Sequence, residues 1–470
     1  MDEISLSFPD MSLPDISNFC RFPRLLMASI VYFFRLVMSN EAAKYDLSAK
    51  IIPYVDKHLA LPMVDFLIEK KLYSEEQLTE IKYTLLTDTK MIDCIIDEYK
   101  KMHKTEQIPA DLTTQKTHVL KEMEKLKKAI GPFADMLEKS KFDAMREANE
   151  FTVENLSQKY NATVDHVNAL YKYGRLMFDV GSYREAYTSL TIYRFVADDE
   201  EESYMALWGK LAAGLVDGDN WDAVLEDARM LRDTIEQRAR VSPAEQIQQR
   251  TWFLHWILFF SFNHVGARSL LLECLHGYNA NSYNPQNSEK MLNTVQLNAP
   301  HLLRYLSVAA VTASRQPVVH QQFILKRSPM LRELVRVLAV ERTNYSDPIT
   351  EFVYNLLVEF DFAAAAQALK DAVPVLQNDF FLSSDATQKE FYEAARALFV
   401  DTYARVHTEM EVKALLAEYN LALPLVEEVS AEIKLQAPAI LKTTSIHQQI
   451  RDRARVITSR SNSIMQQIRM

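Results

Sequence analysis

The stretch DPITEFVYNLLVEFDFAAAAQAL, residues 347–369, decides the fold. Asp347 can cap a helix, and Pro348 suits the first helical position, where its missing N–H would be unpaired anyway. Ile349, Phe352, Val353, Leu356 and Leu357 then follow at i, i+3, i+4, i+7 and i+8, one apolar stripe on a helix. Glu359-Phe360-Asp361-Phe362 interrupts that rhythm, and the alanine run Ala363 to Ala366 opens a second helix. Alanine costs least in a helix, and its small side chain lets a neighbouring helix come close. Nothing in the stretch can do chemistry, so its purpose is packing.

The pattern recurs. Phe362, Ala365 and Leu369 match Tyr183, Ala186 and Leu190, and Asp219-Asn220-Trp221-Asp222-Ala223-Val224-Leu225 is a looser copy. Gly174 and Ala186 stand twelve apart, like the small residues of a tetratricopeptide-type helix pair. Repeats of this size predict stacked helix hairpins, each unable to bury its face alone.

The bulk composition narrows the function classes. At 470 residues the chain can hold a long helical array and a cap. Its 8 glycines form no G-x-G-x-x-G and no P-loop, which removes the phosphate cradle and argues against a hairpin-rich β fold. A formal net charge of −10 argues against bulk nucleic-acid binding. Cys20, Cys94 and Cys274 are far apart, which is the usage of a reducing compartment. Cys274 and His276 are the nearest approach to a metal pair, too few to make a site, so no cofactor or metal is expected.

The segment FPRLLMASIVYFFRLVM, residues 22–38, is apolar but contains Arg24 and Arg35. It falls short of the about 20 clean apolar residues that a spanning helix needs. Acidic Asp2, Glu3, Asp10 and Asp15 precede it, which does not suit a signal peptide. No membrane partner is expected.

From Tyr45 the rhythm is helical almost throughout. Ser74, with Gln77 three on, reads as a helix start. THVLKEMEKLKKAIGPF, residues 117–133, places Val119, Met123, Leu126 and Ile130 on one side and ends at Gly131-Pro132. Its charges read as a solvated face. RTWFLHWILFFSF, residues 250–262, is apolar all round, which predicts burial on every side, and His255 and His264, with no nucleophile motif or paired carboxylate beside them, read as hydrogen-bonded core or surface residues. HGYNANSYNPQNSE, residues 276–289, reads as a surface loop.

Residues 391–421 read as a long helix, a connection and a shorter helix, with Ala395, Leu398, Phe399, Tyr403 and Val406 as the apolar positions of the first. Ala431 to Leu435 alternates like a strand, and Pro438 to Leu441 is its expected hairpin partner. Helices followed by a small hairpin make a winged-helix-like module. Ile433 and Leu435 lie on that short strand, whose edge could pair with a neighbour's sheet. The helices at 411–429 carry Glu411, Glu418, Glu427 and Glu428 against Lys413, the wrong sign for a phosphate backbone, so no sequence-specific nucleic-acid binding is expected.

An all-α, tetratricopeptide-like array capped by a winged helix resembles PCI-domain proteins, found in the proteasome lid, the COP9 signalosome and translation initiation factor 3. YDLSAKI, DKHLALPMVDFL, QQRTWFLHWILFFSFNH, HLLRYL, DPITEFV, FDF and NDFFL resemble the e-subunit branch of eukaryotic translation initiation factor 3. The resemblance runs from about Tyr45 nearly to the C-terminus. Residues 1–37 have no counterpart in it, which points to a start at Met38, and the wing is compressed to SAEIKLQAPAIL, residues 430–441. The expected division is an N-terminal extension at 1–37, a helical domain at 38–150, a repeat array at 151–376, the winged helix at 377–441 and a C-terminal helix at 442–470. The resemblance implies a non-catalytic cytoplasmic scaffold. Its implied partners are other subunits of initiation factor 3, the small ribosomal subunit through the complex, and the scaffold of the cap-binding complex. A lid or signalosome subunit is the alternative.

The C-terminal stretch 445–469 fits that implication without needing it. Ile446, Ile450, Ala454, Ile457, Ile464 and Ile468 line one helix face at spacings of four and three, with Ser461 as the weak spot of the seam. Arg451, Arg453, Arg455 and Arg460 take other faces. Bundling with partner helices, docking on this chain's own array and contact with RNA are the three readings. Burying an Ile contributes roughly 1.5–3 kcal/mol, against about 0–1 kcal/mol for an exposed charge pair, which favours the first two.

Overall fold

The computed structural model describes residues 44–131, 133, 163–197, 199–238, 241–276, 278–279, 282–283, 285–313, 324–406, 409–411, 419 and 440–442. Its elements in chain order are α1 (Ser48–Ile51), α2 (Lys57–Lys70), α3 (Glu75–Thr87), α4 (Ile92–His103), α5 (Ala110–Ala129), α6 (Val164–Val180), α7 (Tyr183–Val196), α8 (Glu200–Asp217) and α9 (Trp221–Gln237). Then come α10 (Pro243–Ser261), α11 (Val265–His276), β1 (Tyr278–Asn279), β2 (Ser282–Tyr283), α12 (Pro285–Asn298), α13 (Leu303–Ala313), α14 (Ile324–Glu341), α15 (Pro348–Tyr354), α16 (Phe362–Gln377), α17 (Asp385–Val406), β3 (Glu409–Glu411) and β4 (Ile440–Lys442). The fold is all-α in class, and the strands are two or three residues long. The chain divides into two compact units, one holding residues up to Leu302 with Val375–Ser383, the other Leu303–Pro374 with the chain from Ser384.

The repeat signal corresponds to real hairpins. Tyr183, Trp221 and Phe362 are each the first residue of a helix, α7, α9 and α16. In α7 and α16 the matched small and aliphatic residues, Ala186 with Leu190 and Ala365 with Leu369, are all fully buried. Asn220 Oδ1 accepts from Ala223 N at 3.2 Å, and Asp361 Oδ1 accepts from Ala364 N at 2.9 Å, so a polar residue caps the helix at the turn. The preceding helix ends in a left-handed residue, Gly181 at φ +91° before α7 and Gly218 at φ +70° before α9. A Cβ on Gly174 would sit 3.1 Å from Leu190, so the missing side chain is what brings α6 and α7 together.

In the first unit α6 packs on α7, α7 on α8, α8 on α9 and α9 on α10. Helix α10 is buried nearly all round, as its composition predicts: Phe253, Leu254, His255, Trp256, Ile257, Leu258 and Phe260 are all core. Ser242 caps it, Glu245 closes a capping box, and Pro243 occupies its first position. Helix α5 is different. Among its described residues none is fully buried, and Val119, Met123 and Leu126 are half-exposed, so the helix lies on one face with its lysines in water. At the start of α3, Ser74 makes no bond to the helix backbone; its hydroxyl donates to Gln77 Oε1 instead.

In the second unit α13 is buried along its whole length and packs on α14, α15 and α17. Asp347 caps α15 by accepting from Thr350 N at 2.8 Å. Ile349, Phe352, Val353 and Leu356 are buried, and Leu357 is half-exposed. The stripe ends there because the helix widens into a π-type turn at Asn355–Glu359.

Two expectations need correction. The loop expected at 276–289 contains an antiparallel pairing, Tyr278 with Tyr283, and α12 already starts at Pro285. Proline at a first helical turn initiates rather than breaks, so Pro285 starts a helix inside the expected loop. The strand expected at 438–441 is present as β4, but β4 pairs antiparallel with β3, Met410 opposite Leu441. The expected hairpin partner of β4, residues 431–435, lies outside the described residues.

Candidate partner-docking surface

Residues 445–469 lie outside the described residues, and with them Ile446, Ile450, Ile457, Ile464 and Ile468; so do Ile433 and Leu435. The geometry therefore has to be read from the array itself, and it shows an apolar and cationic patch that the periodicity did not single out.

Helices α7 and α9 bury one stripe each: Ala186, Leu190 and Tyr193 on α7, Val224, Ala228, Leu231 and Ile235 on α9. Phe195 and Met230 fall on the opposite sides of those helices and are each 46% exposed. Arg194 Nη2 donates to Met230 Sδ at 3.0 Å, which ties the two helices together at the surface. The Arg194 Nε is buried and has no hydrogen-bond partner. Burial lowers the pKa of this guanidinium, and the nearby Asp227 carboxylate opposes that shift. The Asp227 oxygens accept instead from Lys210 Nζ and from the Tyr187 hydroxyl, each at 2.8 Å. The result is a half-desolvated cation beside an exposed aromatic and a thioether, residue types enriched at protein interfaces. The signal available in the sequence was phase: an aromatic and a methionine set against the stripe of their own helices.

A second concavity, about 820 Å³, lies between the start of α2, the end of α3, α5 and α6. Its charges are largely internal, with Lys57 to Asp88 at 3.0 Å and Lys90 to Glu122 at 2.9 Å. His58 faces it, but Nδ1 is 3.0 Å from the Tyr183 hydroxyl, and burial lowers its pKa. The arrangement provides no activated nucleophile.

The other tempting groups are structural. His255 is fully buried and burial lowers its pKa to about 4, so it is neutral at physiological pH. Its Nδ1–H donates to Thr251 O at 2.7 Å, leaving Nε2 to accept from His301 Nε2 at 2.9 Å. The Cys274 thiol is buried and pushed up to about 12, which suppresses the thiolate needed for metal binding. Among the described residues no group of three or more His, Cys, Asp or Glu could hold a metal ion, and no helix is long and apolar enough to cross a membrane.

The family model described as the eIF3 subunit 6 N terminal domain matches residues 46–177. The chain is 30% identical to the E-subunit of eukaryotic translation initiation factor 3 from Arabidopsis thaliana over 454 residues, covering 92% of this chain and 98% of that protein. It is 32% identical to the E-subunit protein of Caenorhabditis elegans, covering 90% and 97%. The chain belongs to the E-subunit family of eukaryotic translation initiation factor 3. The E-subunit protein of Yarrowia lipolytica, at 31% identity, is matched over 99% of its length.

Proposed function

We propose that the chain is a non-catalytic, cytoplasmic scaffold of the factor 3 assembly. It packs against other PCI subunits and so supports binding of the small ribosomal subunit, recruitment of messenger RNA and contact with the scaffold of the cap-binding complex. The observation that carries this reading is the surface of α7 and α9, where the Arg194 Nε has no hydrogen-bond partner while Phe195 and Met230 stand exposed. A partner supplying a carboxylate and an apolar group would satisfy both at once. The isoleucine seam Ile446, Ile450, Ile457, Ile464 and Ile468 is proposed as a second contact, a helix gathered with partner helices, and the edge carrying Ile433 and Leu435 as a third.

The test is affinity purification of the tagged chain, followed by mass spectrometry of what accompanies it. Wild type is expected to bring down other factor 3 subunits and small-ribosomal proteins. Arg194→Ala with Phe195→Ser should lower that recovery about tenfold, the loss of a hot spot worth roughly 1.4 kcal/mol or more. Recovery of lid or signalosome subunits instead would overturn the initiation assignment. Ile457→Asp separately tests the seam: the isolated chain should stay folded and fail to enter the complex, and normal entry would refute bundling.

A further inference from the structure

We propose that Phe360 is a preformed anchor that inserts into an apolar pocket, rimmed by lysine or arginine, on another subunit of the factor 3 assembly. The inference rests on the scaffold reading and names a contact within it.

Phe360 breaks a rule that the other turns of the repeat keep. Each hairpin turn of the repeat needs a left-handed residue to end its first helix, and two copies supply glycine there: Gly181, two residues before Tyr183, and Gly218, three before Trp221. The third copy supplies Phe360, two before Phe362, at φ +55°. A bulky side chain in that conformation is strained, whereas glycine is not. The strain is held by the turn. Phe360 N and Asp361 N both donate to Asn355 O, closing the π-type turn beneath it. Strain of this kind persists where the surroundings impose it, and such positions cluster at functional sites.

The consequence is that two aromatics two residues apart go opposite ways. Phe362 is buried, edge-on to Phe399 at 5.6 Å and to Tyr403 at 4.8 Å. Phe360 is 51% exposed. The tip carrying it is rigid. The Tyr354 hydroxyl donates to Glu359 Oε1 at 2.9 Å, the Arg342 guanidinium lies 4.3 Å over the Tyr354 ring, and Arg342 grips Glu351 through both Nε and Nη2. Helix α14, on which the turn packs, also exposes Val340. A rigid exposed aromatic loses little freedom on docking, which is what makes an anchor effective.

Charge selects the occupant. Glu359 and Asp361 flank Phe360, and both are exposed. Asp361 spends one oxygen on the α16 cap, and Glu359 one on Tyr354, so each has an oxygen left to face outward. A pocket with an acidic or neutral rim would leave these carboxylates repelled or desolvated; a basic rim pairs with them.

The experiment uses the full chain co-expressed with the other factor 3 subunits, with Phe360→Gly, Phe360→Tyr and Glu359→Lys as variants. Two quantities are read: the melting temperature of the isolated chain and the fraction of each other subunit retained on it. Phe360→Gly restores the residue that the turn prefers, so its melting temperature should equal or exceed that of wild type while retention of at least one subunit falls tenfold or more. Phe360→Tyr should retain that subunit, and Glu359→Lys should release it. Unchanged retention by Phe360→Gly overturns the anchor, and unchanged retention by Glu359→Lys overturns the basic rim. A marked fall in melting temperature assigns the ring to this chain's own packing and also overturns the proposal. If wild type retains no factor 3 subunit, the scaffold reading fails first and takes this one with it.

Discussion

Asp347→Ala will unfold the second unit at temperatures where the wild type is intact. Asp347 and Arg304 form an ion pair at 2.6 Å with side chains 1% exposed on both partners. Asp347 Oδ2 also accepts from the Tyr345 hydroxyl at 2.7 Å, and Oδ1 caps α15. Removing the carboxylate strands a guanidinium inside α13, a helix with no exposed residue to which it could escape. Breaking such a pair from one side costs about 3–5 kcal/mol, and the lost cap adds about 1 kcal/mol. The charge itself can be isolated by pH. Burial alone would raise the Asp347 pKa, but the Arg304 guanidinium, the Thr350 N–H and the Tyr345 hydroxyl outweigh it and hold the carboxyl below its usual range. A depressed folded pKa means stability that is complete above the unfolded value, about 3.9, and is lost as pH falls through the folded one. Wild type should therefore lose this contribution only under acid, and Asp347→Asn should melt lower at neutral pH with a shallower acid dependence. Calorimetry of the isolated chain between pH 3 and 8 reads both, and an Asp347→Ala melting point within a degree of wild type would refute the argument.

Trp256→Ala should do comparable damage to the first unit. Trp256 is among the largest fully buried side chains, set edge-on to Trp208 with centroids 4.9 Å apart. Its Nε1 donates to Tyr54 O at 3.1 Å, and the Tyr54 ring stacks on His255 at 4.5 Å. Truncation removes the apolar contact and leaves a cavity, together about 3–5 kcal/mol, and it also leaves the Tyr54 carbonyl short of a donor. Trp256→Phe keeps much of the volume but not the hydrogen bond, so its loss should be smaller and should report the bond. Urea unfolding followed by near-ultraviolet circular dichroism orders the three proteins; equal midpoints for Ala and Phe would mean that packing volume is irrelevant at this site.

Local periodicity was sufficient where the interaction is local. Asp347 as cap and Pro348 as first residue are found where the spacing predicts them, and the next helix starts at Phe362, one residue before the expected alanine run. The all-round burial of α10 follows from a sequence with no polar face to expose. The π-type turn was not legible, because widening one turn by a residue leaves the apolar stripe almost unchanged until its last position, Leu357. The pairing of β3 with β4 was missed for a different reason: three-residue strands carry too few alternations to reveal a partner far along the chain.

By itself the sequence determined the stacked helix hairpins of the described residues, because helix faces and caps are written within a few residues of one another; the family was legible only through the resemblance of whole phrases such as YDLSAKI and DKHLALPMVDFL. Only the tertiary structure decided which polar and aromatic groups those faces confront. Arg304 meets its carboxylate 43 residues away, and Trp256 its carbonyl 202 residues away. The αL turn that sends Phe360 outward while Phe362 goes in is local in sequence, yet packing holds it, because no residue preference would place phenylalanine there.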